Sequence, residues 1–260
     1  MTRPTEHPTD QLRCELDGGI ATVTLDRPDR LNALSAELMR GLVETFAALD
    51  RDPQVRVVLL AAAGARAFSA GVDLTEQATD PVVPMTGPLR NVYETVLECR
   101  KPTIALLHGW VVGGGMELAM ACDLRIAAHG TRLMLPESKV GMGANFGSQM
   151  LPRLVPAGVA YQVLYLGEPM DAVDAHRFGL VNWLVPADEL VATATEVATT
   201  IASRAPLTLS RYKPMVQLGA SLPIAAALRM DPWPSPYHSE DRHEGAAAFR
   251  ERRPPRWQGR

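Results

Sequence analysis

Glu117 lies just beyond Gly113-Gly114-Gly115, with Met116, Leu118, Ala119, Met120 and Ala121 as its sequence neighbours. A carboxyl in such company loses part of its hydration, which raises its pKa toward the range useful for proton transfer. Leu133-Met134-Leu135-Pro136-Glu137 then presents a second carboxyl after an apolar strand, and Pro136 fixes the backbone just before it. The glycines add a complementary feature. Three in a row between a strand and a helix are costly in chain entropy, and they make sense where backbone must approach another group closely. A helix beginning there leaves free N–H groups and a positive dipole end, which suit an anion or an oxygen becoming one. Two carboxyls near one loop of this kind fit a general acid/base pair acting on a carbonyl compound.

Blander explanations stand beside these. Glycines also permit tight helix–sheet packing, and a glutamate in a first helical turn is favoured by the dipole on an exposed surface too. A second glycine-centred segment, Arg66-Ala67-Phe68-Ser69-Ala70-Gly71-Val72-Asp73-Leu74, follows a buried strand. The Gly-x-Ser-x-Gly elbow, the Walker loop and His-Glu-x-x-His are absent. Gly141-Met142-Gly143-Ala144-Asn145-Phe146 begins like a dinucleotide fingerprint, but its sixth position is Phe and no convincing strand precedes it. It reads as a turn.

The elements that must position these groups follow from periodicity. Leu12, Cys14 and Leu16, then Val23 and Leu25, alternate with polar residues around Asp17-Gly18-Gly19, which predicts a hairpin. Ser35 caps a predicted helix over 36–49, whose Leu38, Leu42, Phe46 and Leu49 recur at helical spacing. Buried strands are expected at 57–61, 103–107 and 124–127, with helices at 89–99 and 116–122. Beyond Phe146 the pattern turns mainly helical: 150–154, 157–166, 172–178, 188–203, a helix opened by Pro206, and a last one at 240–250. A lone strand is expected at 181–184. The organisation is therefore an α/β layer with helices covering sheets. It divides into a flexible N-terminus (1–10), a core (11–200) and a helical C-terminal region (201–260).

Composition bounds the function more than it defines it. Apolar residues make up 47% and charged residues 21% of the 260, which excludes disorder, collagen and coiled coil for the whole chain. Twenty-six Lys and Arg against 29 Asp and Glu leave a net charge of −3, so no global field attracts nucleic acid or an anionic membrane. The longest apolar run, Val57 to Ala63, is far too short to span a bilayer, and no signal segment opens the chain. Cys14, Cys99 and Cys122 are odd in number and lack metal or redox spacing, so a reduced, cytoplasmic protein is expected.

The chain resembles the enoyl-CoA hydratase/isomerase family, also called the crotonase family, along nearly its whole length. The resemblance is carried by Leu25-Asp26-Arg27-Pro28-Asp29-Arg30-Leu31-Asn32-Ala33-Leu34, Phe68 to Leu74, His108 to Asp123, Pro136-Glu137, and Ser239-Glu240-Asp241-Arg242-His243-Glu244-Gly245 followed by Phe249. It implies a spiral of ββα units with a helical C-terminal trimerisation region, assembled as a homotrimer or a hexamer built as a dimer of trimers. It implies that the backbone N–H groups of Val72 and Gly114 form an oxyanion hole for a thioester carbonyl. Glu117 and Glu137 would orient water for addition at C3, with Glu137 supplying the proton at C2. Coenzyme A and substrate contacts would come from Arg30, Leu31, Arg66, Ala67, Ala70, Gly71, Asp73, Leu74, Trp110, Gly113, Asn145, Phe249 and Arg252. Arg250 and Arg253 read as a solvated tail. The pocket wall would add Leu135 and the segment 75–93, with Pro81, Pro84 and Pro88. No cofactor is implied, because coenzyme A is part of the acyl-CoA substrate.

One segment departs from the family pattern. After the second glutamate the family often reads Gly-x-x-Pro-x-x-Gly-Gly, whereas Ala144, Asn145 and Ser148 stand where the proline and two of the glycines would be. Asn tolerates left-handed backbone angles, so its N–H could serve as the missing glycine's would; its side chain could instead meet an unusual acyl group. The expected activity is that of an enoyl-CoA hydratase giving a 3-hydroxyacyl-CoA. The alternatives are a Δ3,Δ2-enoyl-CoA isomerase or another crotonase-type lyase or hydrolase using Glu137 alone, and a non-catalytic binding protein on the same fold.

Overall fold

The computed structural model describes residues 3–4, 9–77, 90–232 and 234–260. Most of the opening segment, and Pro81, Pro84 and Pro88 of the expected pocket wall, lie outside them. In chain order the first elements are β1 (Arg3–Pro4), β2 (Leu12–Asp17), β3 (Ile20–Leu25), α1 (Ala36–Arg51), β4 (Val57–Ala62), β5 (Ala67–Ser69), α2 (Leu74–Gln77) and α3 (Val92–Glu98). Then come β6 (Thr103–Leu107), β7 (Trp110–Val112), α4 (Gly114–Ala121), β8 (Leu124–Ala128), β9 (Arg132–Met134), α5 (Glu137–Val140), α6 (Asn145–Leu154) and α7 (Ala157–Leu166). The chain closes with β10 (Met170–Asp171), α8 (Ala172–Arg177), β11 (Trp183–Val185), α9 (Leu190–Ala202), α10 (Pro206–Gly219), α11 (Ile224–Ala227) and α12 (Glu240–Glu251).

Two sheets organise the molecule. The larger runs β1-β2-β3-β4-β6-β8-β11, antiparallel up to β3 and parallel from β3 onward; the smaller runs β10-β9-β7-β5. The long strands β4, β6 and β8 are each followed by a short strand of the second sheet, β5, β7 and β9, and then by a helix. That is the ββα repeat the resemblance implies. The central strands are buried on both faces, as parallel strands covered on either side must be. Val58, Leu60, Ala105 and Leu107 face the main core with α1, α3 and α4, while Val57, Leu59, Ile104 and Leu106 face Leu190, Ala194 and Ala198 of α9.

The hairpin, the Ser35 cap on Leu38 N–H and the strand Thr103–Leu107 form as periodicity predicts. The differences have physical reasons. Helix α3 starts at Val92 rather than Leu89, because Asn91 and Glu94 close a capping box there. Helix α4 takes Gly114 and Gly115 into its first turn, two residues ahead of the expected start. Packing there overrides the low helix propensity of glycine. Helix α6 begins at Asn145, not Met150, and contains Pro152. The last strand lies at Trp183–Val185. The four-stranded sheet has no counterpart in the sequence reading, since strands of two or three residues carry no measurable period.

The segment linking β3 to α1 is held by one side chain. Leu31 and Asn32 both adopt φ of 52°, and the buried Asn32 Oδ1 accepts from Arg27 N–H at 2.9 Å while its Nδ2 donates to Ala63 O and Ala67 O, each at 2.9 Å. These bonds tie the left-handed turn to both ends of the connection between β4 and β5. Asn32→Ala strands one donor and two acceptors, so a loss of about 2–4 kcal/mol is expected, read as a lower urea midpoint at unchanged slope.

Candidate active site

The segment after β5 is positioned by an isolated parallel bridge. Leu34 N–H donates to Gly71 O at 2.7 Å and Asp73 N–H to Leu34 O at 3.0 Å. In a parallel ladder this pairing turns the intervening residue outward, so the N–H of Val72 points away from Leu34. It donates to no backbone carbonyl among the described loop and cap bonds. The second amide belongs to Gly114 at the start of α4, where helix geometry provides no intrahelical acceptor. The two lie side by side: a Cβ on Gly114 would sit 3.0 Å from Val72 Cγ2 and 2.5 Å from Tyr93 Oη. No residue larger than glycine fits.

Gly113 makes the entry into α4. Its φ of 51° is left-handed, its N–H donates to Met134 O at 2.9 Å, and a Cβ there would fall 2.9 Å from Glu137 Oε1. Glycine is required twice over, by the backbone angle and by the approaching carboxyl. The same contact brings Glu137, from the first turn of α5, against the glycine turn that starts the helix of Glu117.

Helix α4 is buried along its entire length. Its C-terminal end is closed by the buried guanidinium of Arg125, which donates to Cys122 O at 2.8 Å and Ala119 O at 3.3 Å and is itself fixed by Leu180 O at 2.6 Å. A cation on the negative end of the dipole, satisfying orphan carbonyls, anchors the helix that carries Glu117.

Glu117 is only 7% exposed. Gly147 N–H donates to its Oε1 at 2.7 Å. Burial pushes its pKa up to about 7, the bond from Gly147 N–H opposes the rise, and the charge of Glu137 adds to it. Burial raises Glu137 as well, and its Oε2 is buried with no hydrogen-bond partner. The two carboxyls repel each other's charge. Such a coupled pair can retain one proton near neutrality, which gives one acid and one base in the same place.

The remaining expected residues separate into groups. Leu31 and Ala70 meet at the rim, where Ala70 N–H donates to Leu31 O at 2.9 Å; only the Ala70 carbonyl is left for a ligand. Arg66 Nη2 donates to Pro28 O at 3.1 Å, next to the exposed Arg30. Arg66 O takes the N–H of Trp110, and Ala67 is buried with its carbonyl on Asn32. Trp110 is 43% exposed and Leu74 is also exposed, whereas Leu135 is buried. Asp73 is occupied internally: its Oδ1 accepts from Thr75 N–H and Oγ1, and its Oδ2 pairs with Arg27 at 3.2 Å. Those bonds hold its pKa below the usual value, the Thr75 hydroxyl foremost, and make it a support for the loop.

Two groups of expected contact residues are exposed. Asn145 is exposed, lies in the first turn of α6 and has no left-handed angle; the amide that donates to the glutamate is that of Gly147. Helix geometry aims the first-turn N–H groups along the axis, so the donor shifts past Asn145 once α6 starts there. Phe249, 87% exposed, and Arg252, in the left-handed cap of α12, stand apart. Their helix packs on the turn Pro236–His238, and no described hydrogen bond joins it to Arg30, Arg66 or the glycine segments. Tyr93 was expected only as the end of the pocket-wall segment 75–93, and the Gly147 amide was missed. Gly147 carried a signal, as one of the glycines the family pattern retains. Among the described residues no cluster of His, Cys, Asp and Glu could hold a metal, and no helix is long and apolar enough to cross a membrane.

The raised pKa of Glu117 is also a stability term. Folding binds the proton more tightly than the unfolded chain does, so this group's contribution is full below about pH 4.3 and is lost as pH rises toward 7. Thermal melts should show Glu117→Gln unfolding at a higher temperature than the wild type near pH 8, with the gap closing near pH 5.

Comparison with known proteins agrees with this geometry. The family model described as enoyl-CoA hydratase/isomerase matches residues 15–260. The (E)-benzylidenesuccinyl-CoA hydratase of Thauera aromatica is 37% identical over 251 residues, covering 94% of this chain and 98% of the relative. The carnitinyl-CoA dehydratase of Escherichia coli K12 is 34% identical over 262 residues, covering 97% and 100%. Among solved structures, the enoyl-CoA hydratase of Bacillus anthracis superposes with a TM-score of 0.89 at 31% identity, covering 96% of this chain and 100% of that one. That of Mycobacterium tuberculosis H37Rv gives 0.89 at 32% identity, covering 97% and 100%. With the buried Glu117 near the half-buried Glu137 on a ββα spiral, and the family model matched over 15–260, the chain belongs to the enoyl-CoA hydratase/isomerase (crotonase) family.

Proposed function

We propose that this chain is an enoyl-CoA hydratase, adding water across the 2,3 double bond of a 2-enoyl-CoA to give a 3-hydroxyacyl-CoA. The observation that carries the reading is the pair of mutually repelling glutamates beside the Val72 and Gly114 amides. The relatives named hydratase and dehydratase support the same class of reaction on a CoA thioester.

In this reading the thioester oxygen lies between the Val72 and Gly114 N–H groups, which stabilise negative charge as the enolate forms; one such donor is worth ~10²–10³ in rate. Glu117, held by the Gly147 N–H, takes a proton from water as the water oxygen bonds to C3. Glu137, with no competing partner on Oε2, delivers a proton to C2. One proton leaves the water and one arrives at carbon, so the pair ends with the same total charge. The coenzyme A portion enters as part of the substrate, with its phosphates toward Arg30 and Arg66. Phe249 and Arg252 act across a subunit boundary, in a homotrimer or a dimer of trimers. The exposed Tyr212, Val216, Ile224 and Leu228 of the C-terminal helices fit burial against like chains.

Incubation with 2-enoyl-CoA thioesters of short, branched and aromatic acyl groups should remove the conjugated-thioester absorbance. Glu117→Gln and Glu137→Gln should each lower kcat by at least about 10²-fold. A Glu117→Gln enzyme with full hydration activity would overturn the two-carboxyl mechanism. Conversion of 3-enoyl to 2-enoyl thioester by that variant would favour the isomerase that uses Glu137 alone.

A further inference from the structure

Val72 lies between residues that are tied down on both sides. Before it, Ala70 N–H donates to Leu31 O at 2.9 Å and Gly71 N–H to Ser69 Oγ at 3.2 Å, while that hydroxyl donates to Asn32 O at 2.8 Å. A Cβ on Gly71 would fall 2.8 Å from Val112 O and 3.4 Å from Gly114 N, so the segment runs directly against the turn that carries the second amide. After it, Asp73 Oδ1 accepts from Thr75 N–H at 3.2 Å and from Thr75 Oγ1 at 2.6 Å, and Asp73 Oδ2 pairs with Arg27 Nη1 at 3.2 Å. The same Arg27 Nη1 donates to Ala33 O at 2.7 Å. Ala33 immediately precedes Leu34 and Asp73 immediately follows Val72, so one guanidinium spans both strands of the Leu34–Val72 bridge.

Stability does not account for this choice of residues. The side chains of Arg27 and Asp73 are 15% and 9% exposed. For a pair this dry the cost of desolvation offsets most of the attraction, and apolar groups of the same volume would hold the fold about as well. What apolar groups lack is directed bonds. The bridge itself rests on two backbone bonds, Leu34 N–H to Gly71 O and Asp73 N–H to Leu34 O, with no flanking ladder to stop it sliding. We propose that Arg27 and Asp73 are positioning residues for the Val72 N–H: by locking the bridge in one register, they hold that amide beside the Gly114 N–H where both can meet a single thioester oxygen. Asp73 thus acts through the backbone and touches no ligand. A slip of the bridge moves the amide and leaves Arg30 and Arg66 where they are, so it weakens stabilisation of the developing enolate more than binding. The inference rests on the hydratase reading for its catalytic meaning, but polarisation of a bound thioester is measurable without turnover.

Asp73→Asn keeps the shape and removes the charge that pairs with Arg27; Arg27→Met keeps the stem and removes the guanidinium. Each should lower kcat by about tenfold or more with KM nearly unchanged. The double variant should cost little more than either single one, because both break the same unit. Arg27→Lys keeps the charge on one compact ammonium and should recover part of the loss. The probe p-dimethylaminocinnamoyl-CoA, a conjugated thioester whose absorption moves to the red when its carbonyl is polarised, reads the amides directly. Bound to the wild type it should shift to the red, and both single variants should lessen that shift in samples whose circular dichroism matches the wild type. A purely structural role would lower the melting temperature and leave the shift of the folded protein intact. Where Arg27→Met folds poorly, Asp73→Asn and Arg27→Lys decide the matter. Wild-type kcat in folded Asp73→Asn, or a red shift unchanged in it, would overturn the proposal. If the wild type hydrates no 2-enoyl-CoA while the red shift still falls in the variants, the hydratase reading fails and the Arg27–Asp73 clamp stands.

Discussion

A carboxyl group that is both dry and hydrogen-bonded is the constraint on which the rest of this structure turns. Glu117 must leave bulk water for its pKa to approach neutrality, yet an ionised carboxylate without donors would be too costly to bury. The chain satisfies both demands by bringing two helices to one side chain. Helix α4 supplies the glutamate from a wholly buried position, and α6 aims the Gly147 amide of its first turn at the carboxyl. Arg125 closes the far end of α4, so the helix is anchored at the end opposite the reacting groups.

Close backbone approach is the second demand, and it explains the two-sheet architecture. The short strands β5, β7 and β9 carry the chain from the core of the large sheet to the turns where Val72, Gly114 and Glu137 meet. Each strand ends within a residue or a few of a site group, so the position of a reacting atom is set by a strand register and not by a free loop. The Leu34–Val72 bridge extends that logic three residues beyond β5, and Asn32 secures the strand-to-helix connection from which the bridge arises.

Much of the site was legible because its residue types are unusual for their context. A glutamate among Met116, Leu118 and Ala119, and three successive glycines, violate what a plain core helix would need. Glu137 after Pro136 was legible for the same reason. The left-handed angle expected at Asn145 does not form because α6 starts there, five residues ahead of the expected helix. Tyr93 was legible only as the end of a pocket-wall segment, because its approach to Gly114 crosses a contact between α3 and α4 that leaves no spacing signal.

The sequence by itself determined the class of the core, the long elements with their caps, and the identity of two carboxyls and two glycine turns, because periodicity and local steric demands are properties of neighbours along the chain. Tertiary structure alone decided the second sheet, the amide that meets Glu117, the internal use of Asp73 and the distance of α12 from the site. Those depend on groups far apart in sequence, brought together by burial of a common core, and no local pattern encodes which of them will touch.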